Sequence, residues 1–65
     1  MNKLKQLRES KGMSQSEFAR ACGVNIRGVQ DYELGRSLIK NASVERVYRM
    51  AKVLGVSIEE LAELE

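Results

Sequence analysis

Sixty-five residues with one cysteine, no histidine and no proline read as one small domain, close to the size below which a core needs disulfides or metal, and no separate catalytic or ligand-binding domain is expected within them. Cys22 alone cannot form an internal disulfide, and without histidine the usual ligands of a structural zinc site are missing, so a reducing cytoplasm is the expected setting. The net charge of +2 hides an asymmetry: through Lys52 the chain carries eleven bases against five acids, or +6, and the last thirteen residues carry four glutamates and no base, or −4, which suits a polyanion-binding body with an acidic end as well as an ordinary solvated surface.

Glycines and capping residues supply the punctuation. The opening Met-Asn-Lys-Leu-Lys leads into a charged amphipathic stretch with no apolar run behind it, so neither a signal peptide nor a membrane span is expected. A first helix is predicted over residues 2–11, burying Leu4 and Leu7, stopped at Gly12 and covered by Met13. Ser14 and Glu17 form a capping box that starts a second helix at Gln15. Phe18, Ala19 and Cys22 share one face of that helix, and Gly23 ends it. Asn25 is the N-cap of a third helix reaching Leu34 and closed by Gly35. Its stretch NIRGVQD contains Gly28, which costs a helix interior about 1 kcal/mol relative to alanine.

Residues 36–42 lack a capping box or a steady period and read as a loop or distorted turn. Ser43 caps a fourth helix whose Val44, Val47, Met50, Ala51 and Leu54 recur on one stripe before Gly55. Ser57 with Glu60 is a second capping box, starting a short fifth helix that buries Ile58 and Leu61. No alternating run reads as a strand. The expected fold is all-α, a bundle of five short helices forming one domain over residues 1–65.

Ala19, Gly23 and Val29 stand at intervals of four and six. A small residue at 19 lets two helices cross closely, Gly23 supplies a positive φ for a tight turn, and Val29 fills the space between them. An ordinary helical hairpin explains the glycine alone; a helix-turn-helix explains all three. The segments LRESKGMSQSEFARACGV, VQDYELGR and RMAKVLGVSIEEL together resemble the lambda-repressor-like helix-turn-helix family, the Xre family of bacterial and phage regulators, over nearly the whole chain. The resemblance implies a five-helix bundle that binds operator DNA, usually as a two-fold dimer, with its third helix in the major groove.

Carried over by position, the resemblance makes Gln15 a phosphate ligand at a helix start, where free amides also favour an anion, and makes Arg8 and Glu33 a structural pair linking the first helix to the end of the third. With Val29 and Tyr32 inward, Ile26, Arg27, Gln30 and Asp31 lie outward and Leu34 near the edge. Arg27 suits guanine O6 and N7, with about 1–3 kcal/mol of discrimination. Gln30 suits adenine, Ile26 a thymine methyl and Asp31 a cytosine amino group. Each has a second reading: Ile26 as half-buried core, Asp31 as a support for Arg27, Gln30 as a solvated side chain.

At 27 and 28 the chain departs from the family's usual serine, threonine or glutamine. Gly28 either lets the backbone approach a phosphate or is a neutral, slightly destabilising substitution. Arg36, Ser37, Lys40 and Asn41 suit phosphates flanking the groove, which position the protein without reading sequence. Lys3, Lys5 and Lys11 contribute through the field, whereas Arg46, Arg49 and Lys52 fall on a solvated face. Tyr48 and Leu64, off the inward stripes, suit a dimer contact.

The expectation is a non-enzymatic, sequence-specific regulator of transcription, a repressor bound as a homodimer to double-stranded DNA, cytoplasmic and nucleoid-associated, with no cofactor, metal, membrane or small-molecule ligand. The alternative is a protein-interaction module of the same fold, an antitoxin or anti-repressor with residual DNA affinity.

Overall fold

Five α-helices joined by three- to nine-residue connections make up a computed structural model that describes residues 3–63, and no strand occurs among them. Helix α1 spans Lys3–Ser10, α2 Gln15–Cys22, α3 Ile26–Leu34, α4 Val44–Leu54 and α5 Ile58–Ala62, with one 3-10 turn at Ile39–Asn41. Each helix after the first begins where its capping residue dictates. The Ser14 hydroxyl accepts from the Glu17 amide at 3.1 Å, and the Glu17 carboxylate accepts from the Ser14 amide at 2.8 Å. That backbone hydrogen bond first, and the Ser14 hydroxyl second, hold the exposed Glu17 carboxyl below the usual carboxylate range. Ser57 and Glu60 repeat the device at α5, while Asn25 and Ser43 cap α3 and α4 singly.

The α2–α3 turn depends on Gly23, whose φ of 69° is left-handed. Its amide returns to the Ala19 carbonyl, as does that of Val24 at 3.0 Å, so the last turn of α2 is closed and the chain reverses at once. Ala19, buried at that turn, leaves room for the crossing. α2 packs on α3 and α4, α1 on α3, and α5 on α4 and the 3-10 turn. Phe18, Leu4, Met50, Leu54, Leu61, Val29 and Cys22 fill the centre, with Leu7 and Met13 only partly buried against them. Burial alone pushes the Cys22 thiol up to about 11.

Three sequence expectations need correction. Val44 is 79% exposed and Ile58 39% exposed, although both lie on apolar stripes. Each is the first residue of its helix, where Cβ tilts back toward the N-terminus and carries the side chain off the end of the packed body. Residues 36–42 are less irregular than they read: the 3-10 turn drives Ile39 wholly into the core, a burial of about 1.5–3 kcal/mol. The third correction, at Arg46, belongs to the interface described below. The first helix begins at Lys3 within the described residues; Asn2 and Leu64 lie outside them. Among the described residues, no helix is long and apolar enough to cross a membrane.

Candidate nucleic-acid interface

Successive residues of α3 advance by about 100° around its axis, so Val29 and Tyr32, both buried, fix which face turns outward. Arg27 and Leu34 then stand at the middle of that face, with Gln30 and Asp31 on either side. Ile26 (41% exposed) and Gly28 lie at opposite borders. The Arg27 amide donates to the Asn25 side chain at 2.8 Å, which seats the helix start. The guanidinium itself is exposed and has no side-chain partner among the described residues, so all five of its donors are available.

Gln30 is held differently. Its Nε2 donates to Gln15 Oε1 at 3.4 Å, and Gln15 Nε2 donates onward to Glu33 Oε1 at 3.0 Å. Glu33 in turn accepts from Arg8 Nε at 2.6 Å and from Arg8 Nη2 at 3.2 Å, and Arg8 Nη1 also donates to the Met13 carbonyl at 2.7 Å. Both charged side chains are nearly dry, 7% and 4% exposed. The hydrogen bond from Arg8 to Glu33 outweighs the opposing cost of burial and raises the guanidinium pKa above its ordinary value. The pair therefore ties α1 to the end of α3. The chain of contacts from Gln30 to Arg8 ties the outward face of α3 to the start of α2 and to the core.

This arrangement is a tight glycine turn between two crossed helices, the second presenting an unpartnered arginine and a braced glutamine to solvent. The sequence model of the helix-turn-helix family matches residues 4–61. The chain belongs to that family, in its lambda-repressor-like or Xre form. Membership makes it a DNA-binding regulator of the Xre type. Comparison with curated proteins gave no significant match.

Asp31 lies 3.9 Å from Arg36 and so supports the following loop rather than Arg27; the Arg36 amide also donates to the Asp31 carbonyl at 2.8 Å. Arg36, Ser37, Lys40 and Asn41 are all exposed on that loop. Arg36, Ser37 and Asn41 share an open concavity with Ser43 and Arg46, and Arg36 also borders a second one with Lys5, Gln15 and Gln30.

Arg46 is the residue that the sequence misplaces. The sequence places it on a solvated face with Arg49 and Lys52, yet it is half-buried, and its Nη1 donates to the Tyr32 hydroxyl at 3.2 Å. A buried tyrosine calls for a hydroxyl partner; that was the available signal, but it does not say which arginine answers. Arg49 pairs with Glu45 at 3.5 Å on α4, and Lys52 lies over the Tyr48 ring at 5.7 Å. Gly28 has an ordinary helical φ. An added Cβ there would meet Arg46 Nη1 at 3.8 Å, which is normal contact, so this glycine is not demanded by backbone strain or by collision.

Proposed function

We propose that the chain is a sequence-specific transcriptional repressor that binds paired operator half-sites as a homodimer, by binding rather than catalysis. The observation that carries this reading is the exposed, unpartnered guanidinium of Arg27 at the middle of the outward face of α3. In this reading Arg27 contacts guanine, with Ile26, Gln30 and Asp31 at neighbouring bases. Gln15, Arg36, Ser37, Lys40 and Asn41 hold phosphates, and Gly28, whose amide already donates to the Asn25 carbonyl at 2.9 Å, only leaves room for one to approach. Because Gln15 and Gln30 share a hydrogen bond, the phosphate contact and the base contact are set together.

The exposed Val44 and Tyr48, one turn apart on α4, with Ile58 on α5, support a contact with a second copy. The fold spans 22 × 22 × 21 Å between Cα atoms. In this reading the two recognition helices stand one helical turn of DNA, about 34 Å, apart. The same apolar stripe favours the second reading, an antitoxin or anti-repressor module with a different protein seated there.

Selection of bound duplexes from a random library tests the proposal, followed by Arg27→Ala and Lys40→Ala on the selected site. Arg27→Ala should relax the preference at one or two base positions, whereas Lys40→Ala should weaken all sequences alike. Equal losses on selected and scrambled DNA for Arg27→Ala overturn the base-reading role. No binding to any duplex at low salt, where displaced counterions favour association most, favours the interaction module.

A further inference from the structure

We propose that Arg46 is a DNA-phosphate ligand of this interface, a fixed guanidinium delivered from α4 to the border of the recognition helix opposite Gln15. The inference rests on the DNA-binding reading above and extends it to a residue outside α2, α3 and their loop. Around α3, Gln15 approaches from the side of Ile26 and Glu33, while Arg46 approaches from the side of Gly28 and Tyr32. Arg27 stands between them, so the base-reading face is flanked on both sides by a polar side chain from another helix.

Three features of Arg46 point to an anion. It is half-buried, so its charge has lost part of its hydration. Among the described residues no carboxylate lies within ion-pair distance of it, in contrast to Arg8, Arg36 and Arg49. Its side-chain partner is a neutral hydroxyl, reached through Nη1, which leaves the other donors of the planar fork for an acceptor outside the protein. A partly desolvated cation without a counter-ion is costly in isolation. A phosphate oxygen is the acceptor a duplex offers at the edge of the major groove, and a guanidinium can meet it through two parallel hydrogen bonds.

Arg46 also borders the concavity it shares with Arg36, Ser37, Asn41 and Ser43, so the anion would be held by groups from the loop as well as from α4. Gly28 acquires a meaning here. With no side chain at that border, nothing competes with Arg46 for the space above the first turn of α3, and a long polar residue in its place would.

The test is fluorescence anisotropy with a random-sequence duplex of about 20 base pairs and with a duplex selected from a library, each over a range of salt. Arg46→Ala should weaken both duplexes about tenfold, the loss expected for one charge-assisted hydrogen bond. It should also reduce the slope of log K against log salt by about 0.9, that of one phosphate. Arg46→Lys, which keeps the charge, should restore the slope. An unchanged slope in Arg46→Ala, a loss confined to one base position, or an Arg46→Lys indistinguishable from Arg46→Ala overturns the assignment. Should Arg46→Ala melt below the assay temperature, Tyr32→Phe decides. Weaker binding of this variant, whose arginine is untethered, supports the proposal, and unchanged binding refutes it. Wild-type protein that binds neither duplex defeats the DNA-binding reading itself; wild-type binding that Arg46→Ala leaves intact defeats only this inference.

Discussion

Glu33→Gln keeps the shape of the side chain and removes its charge, and the structure sets the size of the effect. Glu33 accepts two hydrogen bonds from Arg8 and one from Gln15, in a site where the two charged side chains are 7% and 4% exposed. In the variant Arg8 keeps only the Met13 carbonyl at 2.7 Å and a neutral amide oxygen. Removing one partner of a buried pair costs about 3–5 kcal/mol, and the two remaining acceptors place this case at about 3 kcal/mol. A domain of this length has about 3–10 kcal/mol in all, so much of its stability is at stake. Each kcal/mol moves the midpoint of so small a domain by about 4–8 °C, giving a fall of roughly 12–24 °C. Far-ultraviolet circular dichroism on heating measures it. The pair is dry, so the loss should persist in high salt, unlike that of a surface pair. Replacing both partners, Arg8→Met with Glu33→Leu, should recover most of the stability by removing the stranded charge. A midpoint lowered by less than about 5 °C in Glu33→Gln, against this expected range, refutes the view that the pair is a buried lock.

Two further outcomes follow from the geometry. Gly28→Ala should raise stability by about 0.5–1 kcal/mol, because the helix gains a better former and the new methyl meets Arg46 Nη1 at an ordinary 3.8 Å; a lowered urea midpoint would contradict this. Cys22, buried and with its thiol pushed up to about 11, should resist alkylation in the native protein near neutral pH and react on unfolding. Labelling at the rate of a free thiol without denaturant would show that the core opens locally at α2.

The helices were legible in the sequence because each is started by a side chain acting on its own backbone. Ser14, Asn25, Ser43 and Ser57 accept from amides two or three residues ahead, a relation that needs no tertiary partner. The inward face of α3 was legible for the same reason: Val29 and Tyr32 repeat at helical spacing, and both are buried. Ile39 was not, because a single 3-10 turn offers too few residues to establish a period. Val44 and Ile58 show the opposite failure, since periodicity records an angle around the axis and not whether anything covers the helix end. Arg46 was hidden for a third reason: its place is set by a hydroxyl fourteen residues away on another helix, and no spacing rule within α4 encodes that contact.

The unequal bracing of Arg27 and Gln30 bears on how such a protein changes its target. Gln30 is joined through Gln15 and Glu33 to the buried Arg8, so a new residue at position 30 disturbs the partners that orient the neighbouring helix. Arg27 hangs on nothing but its own backbone cap. Exchange at 27 is therefore cheap for the fold while exchange at 30 is not, so under the proposed base contacts, drift in operator preference would have an easy route through one position and a guarded one through the other.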